Sequence, residues 1–106
     1  MYGIEVRESS VGVAVELWGE FDLFSLDDLR KTLGGVLRLR KPTFLDLTRV
    51  TFLDLESARE LAVRAHLYAH RLTLYSPSLQ VTASLKAFGL EDWVGFRSDG
   101  HREEPP

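Results

Sequence analysis

Three carboxylates, Asp22, Asp46 and Asp54, stand where the sequence places strand ends or helix starts. Three acidic side chains brought together could hold a magnesium ion or accept a phosphoryl group. The same residues could serve as local caps. An aspartate directly before a helix accepts backbone N–H bonds. Asp46 interrupts an apolar run and, if buried, needs partners such as the N–H groups of the bend that follows. The sequence leaves these readings open. His66 and His70 have the spacing of two metal ligands on one helix face. The glutamate of a His-Glu-x-x-His motif and a third ligand are missing, so a solvated face is the simpler account. No Gly-x-Ser-x-Gly element marks a serine nucleophile, and no glycine-rich loop marks a phosphate cradle. The expectation is no metal, no cofactor and no enzymatic activity.

The elements that position these residues follow from periodicity. Ile4 and Val6, then Val11, Val13, Val15 and Leu17, alternate with polar or small residues, the period of half-buried strands. Glu8-Ser9-Ser10 breaks the run and predicts a hairpin turn. Trp18-Gly19 closes the second strand, and Glu20 to Phe24 reads as a loop. Ser25 with Asp28 has a capping-box spacing, and Leu26, Leu29, Leu33 and Val36 or Leu37 share one helix face. Gly34-Gly35 weakens that helix near its end, and Pro42 stops it. Between them Arg38, Arg40 and Lys41 form a basic cluster, either a solvated last turn or a phosphate- or lipid-binding patch.

Phe44-Leu45-(Asp46)-Leu47 is nearly continuous in apolar residues and predicts a strand covered on both faces. After a short bend come Phe52 and Leu53, then Asp54. Ala58, Leu61, Ala62, Ala65 and Ala69 set a helical period from Leu55 to about Ala69. Its outward face carries Glu56, Arg59, Glu60, Val63, Arg64, Leu67 and His70; Val63 and Leu67 either pack on a neighbouring element or meet a partner. Arg71 to Tyr75 is a further strand. Ser76-Pro77 reads as an N-cap with proline at the first helical position. Val81, Leu85 and Phe88 give the inner face of a third helix, closed by Gly89 and Leu90. Trp93, Val94 and Phe96 supply a last edge strand or a packed tail.

The fold class is α/β: one domain over residues 1–97, with a mixed, partly parallel sheet of 4–5 strands and 3 main helices in the order β-β-α-β-α-β-α-(β), and a disordered tail over 98–106. One hundred and six residues suffice for one core. A net charge of −3 argues against a dedicated nucleic-acid binder. The absence of cysteine excludes disulfides and thiolate metal sites. No apolar run approaches the roughly 20 residues that span a bilayer, and Met-Tyr-Gly-Ile-Glu does not look like a signal peptide. A cytoplasmic protein is expected.

Gly19-Glu20-Phe21-Asp22, Phe44-Leu45-Asp46-Leu47-Thr48 and Phe52-Leu53-Asp54-Leu55-Glu56-Ser57, in that order, resemble the motifs of the STAS domain, the fold of bacterial anti-sigma-factor antagonists. The likeness runs from about Val11 to about Val94 and is more specific for fold than for function. It implies a regulatory protein whose partner is an anti-sigma factor with an ATP-binding kinase fold. It places partner contacts at Glu20, Asp22, Asp54, Leu55, Glu56, Ser57, Arg59 and Glu60. In phosphorylated members, the residue after the motif aspartate is the serine that the kinase modifies. Here it is Leu55, which has no hydroxyl, so the phosphorylation site is lost at its standard place. Glu56 could offer a fixed negative charge nearby, and Ser57 a displaced hydroxyl. The alternative keeps the fold and changes the role: a subunit or scaffold of a transporter, such as a lipid-transport ATPase, or of a larger signalling assembly containing other STAS proteins. A homodimer is also compatible with the sequence.

Overall fold

The computed structural model describes residues 1–68, 71–75 and 78–88, with the backbone of 96–97. Its elements run β1 (Tyr2–Glu8), β2 (Val13–Phe21), α1 (Leu26–Leu37), β3 (Thr43–Leu53), α2 (Leu55–Leu67), β4 (Leu72–Tyr75), α3 (Leu79–Lys86) and β5 (Phe96–Arg97). The predicted order holds, including the short last strand at Phe96. The strands form one sheet in sequential order, β1 antiparallel to β2 and every later pair parallel. Trp93, Val94 and the tail 98–106 lie outside the described residues.

Each helix connects two adjacent parallel strands. Such crossovers are right-handed, so successive ones in the same direction lay all helices on one sheet face. The core agrees. Val13, Val15 and Leu17 of β2, Leu45 and Leu47 of β3, and Leu72 and Leu74 of β4 pack in one cluster with Leu29 and Leu33 of α1, Leu61 and Ala65 of α2, and Val81 and Leu85 of α3. Among the described residues the helices cover β3 on one face, where a strand covered on both faces was expected. Its apolar run looked continuous because Phe44 sits on the opposite face, where its ring stacks on Tyr75 at 6.4 Å.

β3 is also one strand of eleven residues rather than a strand, a bend and an apolar pair. The sequence signals of a bend are β-bulges. The register with β2 shifts between Glu16 and Trp18 and again between Gly19 and Glu20. At the first shift Asp46 Oδ1 accepts the Thr48 N–H at 2.9 Å and the Thr48 hydroxyl, which satisfies the extra residue locally. At the second, Gly19 takes φ +86°, and a Cβ there would lie 2.1 Å from the Met1 carbonyl oxygen. Gly19 thus lets β2 continue to Phe21 instead of ending it, which corrects the predicted loop at Glu20. Val11, expected on the buried face, is exposed in the hairpin turn, where Ser9 N–H donates to Gly12 C=O.

The helices show parallel corrections. In α1 the predicted buried face is correct, with Leu26, Leu29, Leu33, Val36 and Leu37 all inside. The predicted capping box is absent. Ser25 is buried in helical geometry and makes no cap bond, while Asp28 accepts the Tyr2 hydroxyl. Gly34-Gly35 lies near the end of the helix, as expected, and the helix closes at Leu37. The left-handed residue comes later, at Arg40 with φ 56°. Lys41 is not part of a free basic patch: its Nζ donates to Glu8 Oε2 at 2.8 Å and to Ser9 C=O at 3.0 Å, tying down the hairpin. α3 is capped by Ser78, whose side chain accepts the Val81 N–H. Ala69, Ser76, Pro77, Gly89 and Leu90 lie outside the described residues.

Candidate functional site

The carboxyl ends of β2 and β3 and the start of α2 meet at one edge of the sheet. Successive crossovers leave the carboxyl ends of parallel strands beside helix N-termini, and that edge is where open α/β sheets carry their sites. Phe21 is fully buried and fixes the end of β2. Its carbonyl accepts the Asp54 N–H at 3.0 Å, which locks the end of β3 against it. Asp54 is extended (φ −76°, ψ 174°), and its Oδ1 accepts the Ser57 N–H at 2.8 Å, an N-cap for α2.

The Asp22–Ser25 turn is built as tightly. Asp22 Oδ1 accepts the Phe24 N–H at 2.9 Å. Ser25 Oγ accepts the Asp22 N–H and donates to the Asp22 carbonyl, at 2.9 and 3.1 Å. The three aspartates thus each turn a carboxylate to their own backbone. Among the described residues no group of three acidic or histidine side chains converges as a metal site. His66 Nε2 lies 3.3 Å from the Phe88 carbonyl, joining α2 to the end of α3; His70 lies outside the described residues.

The residues expected to meet a partner separate by exposure. Glu20, Leu55, Glu56 and Arg59 are exposed, and Asp22 and Asp54 are half-buried. Leu55 is 66 % exposed although it begins a helix beside the core. Ser57 is 0 % exposed, and its hydroxyl has no hydrogen-bond partner among the described residues, so in this fold the side chain lies beneath the surface that Leu55 and Glu56 present. Glu60 is turned inward. It accepts Arg30 Nε of α1 at 3.0 Å and Arg64 Nε at 2.9 Å. Burial pushes its carboxyl up, but the hydrogen bonds from Arg64 and Arg30 and their charges outweigh this and hold it below the usual carboxylate range. Glu60 and Arg64 therefore join α2 to α1 rather than lie on a fully outward face. Glu56, Arg59, Glu60, Arg30 and Val63 line a shallow cleft of about 290 Å³ between those helices. Val63 and Leu67 remain exposed, so the described neighbours leave this ridge uncovered.

Three apolar side chains at this edge escaped the sequence reading. Leu23 and Phe24 on the turn are 72 % and 89 % exposed, and Phe52, paired beside Glu20, is 44 % exposed. A signal was present: Phe21-Asp22-Leu23-Phe24 holds three large apolar residues in four positions, more than a tight turn can bury. With Leu55 they give this edge an apolar surface, accompanied by the carboxylates Glu20, Asp22, Asp54 and Glu56. A wider cleft of about 420 Å³ lies at the opposite end of the sheet, near Gly12, Phe44 and Arg71.

No protein-family model and no curated protein matches the sequence. Solved structures do match in fold. An anti-sigma factor antagonist from Mycobacterium paratuberculosis superposes with a TM-score of 0.80 at 18% identity, covering 92% of this chain and 86% of that one. The anti-sigma factor antagonist SpoIIAA in its unphosphorylated form gives 0.74 at 18% identity, covering 95% and 90%. The phosphorylated form of the Bacillus cell fate determinant SpoIIAA gives 0.69 at 17% identity, covering 95% and 93%. At these identities the likeness establishes the fold, which is the one the motifs implied.

Proposed function

We propose that this chain is a non-catalytic regulatory module that docks a protein partner through the start of α2 and the Gly19–Asp22 segment, and that phosphorylation after the capping aspartate does not switch it. The observation that carries the reading is Leu55. It stands exposed directly after Asp54, where the resemblance places a phosphorylatable serine. A phosphoryl group there would add a charge of about −1.5 to −2 at a closely packed surface. A leucine instead offers permanent apolar contact. Leu23, Phe24 and Phe52 extend that contact, and the neighbouring carboxylates favour a partner with apolar pockets and a basic rim.

The partner that fits the resemblance is an anti-sigma factor with an ATP-binding kinase fold. Capture from the native cytoplasm with the tagged protein, with and without ATP, tests this. Recovery of a kinase-fold anti-sigma factor in equal yield after prolonged ATP is the expected result. Recovery of a transporter ATPase, or of other proteins of this fold, would replace the antagonist reading with a subunit or scaffold role.

A further inference from the structure

β1 is an edge strand, and nothing among the described residues pairs with its outer side. The ladder with β2 fixes which backbone groups face outward. Met1 C=O accepts the Glu20 N–H at one end of the register, and Ser9 N–H donates to Gly12 C=O at the other. Hydrogen-bonded and non-hydrogen-bonded pairs alternate in an antiparallel ladder. Gly3, Glu5 and Arg7 therefore turn their backbone groups to β2, and Tyr2, Ile4, Val6 and Glu8 turn theirs to the free edge.

We propose that this edge pairs with the β1 of a second copy, antiparallel and centred on Val6, through matched Glu5 and Arg7 charges. The alternation requires outward residues to meet outward residues. Of the two-fold registers that satisfy it, one centred on Glu5 sets Glu5 against Glu5, and one centred on Arg7 sets Arg7 against Arg7. Centring on Val6 sets Glu5 of each copy opposite Arg7 of the other, twice, in the close non-hydrogen-bonded positions. It also sets Val6, an exposed apolar side chain, against its own copy. Within one chain Arg7 already bonds Glu5 at 3.2 Å on the helix-free face, so the dimer closes a four-charge cluster there. The joined sheet is continuous, and its two candidate docking edges point in opposite directions.

Light scattering on a sizing column, from micromolar to millimolar protein, is expected to show a monomer–dimer equilibrium. Val6→Pro removes an outward N–H that β2 does not use, and is expected to abolish the dimer with an unchanged circular dichroism spectrum. Arg7→Glu alone is expected to lose the dimer, and Glu5→Arg combined with Arg7→Glu to restore it. The native chain has no cysteine. Val6→Cys therefore supplies one thiol at a Cα separation of about 5.5 Å from its copy, within disulfide reach, and oxidation should give a covalent dimer on dilution. A chain that is monomeric throughout, or a dimer indifferent to the charge reversals, overturns the proposal whatever Val6→Pro does to folding.

Discussion

Ser57 lies in the first turn of α2, buried, with its hydroxyl unpartnered among the described residues. An unsatisfied buried hydroxyl costs about 1–3 kcal/mol. Ser57→Ala should leave the denaturation midpoint unchanged or raise it, and a loss above about 1 kcal/mol would show that the hydroxyl has a partner. The position was legible in principle, since Ser57, Leu61 and Ala65 are spaced four apart on the buried face. Its hydroxyl obscured that periodicity. For Asp46 and Asp54 the sequence left local capping and a metal or phosphoryl site open, and their bonds to backbone groups two and three residues on match the capping alternative. The exposure of Phe24 was not written there, because an apolar residue type alone does not say which of several neighbours the core has room for.

At the scale of elements, α1 carries two glycines near its end, and the helix continues through them to Leu37. A glycine pair signals a helix end only if the chain must turn left-handed there, and the turn falls at Arg40. Gly35 is exposed, and a Cβ on it would meet nothing within 4 Å. Gly35→Ala should therefore stabilise the fold by about 0.5–1 kcal/mol, read as a higher urea midpoint at constant slope. The link between α1 and α2 through Arg30, Glu60 and Arg64 gives a second expectation. The Glu60 carboxyl has a folded-state pKa below its unfolded value. Its contribution is fully present above the ordinary carboxylate range and is lost as pH falls through the folded value. The stability difference between the native chain and Glu60→Gln should be largest near neutral pH and vanish in acid. A difference that grows on acidification would contradict the assignment.

For the whole molecule, the order of elements and the buried helix faces were legible because they rest on periodicity, and the connection of three helices to adjacent parallel strands then dictates their common side. What periodicity could not supply was the face that no helix among the described residues covers, since stacked Phe44 and Tyr75 mimic the apolar content of a doubly covered strand. The same architecture gathers Leu23 and Phe24 with Phe52 and Leu55 at one edge, two pairs far apart in sequence whose segments are joined by the Phe21–Asp54 hydrogen bond. Among those residues no helix is long and apolar enough to cross a membrane. The proposed function rests on Leu55 as a permanent docking contact where the resemblance places a phosphorylatable serine. The direct measurement compares capture of a kinase-fold anti-sigma factor, the proposed partner, by the native chain, by Leu55→Glu and by Leu55→Ser, each with and without ATP. Expected are ATP-insensitive capture by the native chain, loss with Leu55→Glu, and capture by Leu55→Ser that fades as ATP phosphorylates the new hydroxyl. Equal capture by all three, with or without ATP, would contradict the proposed function.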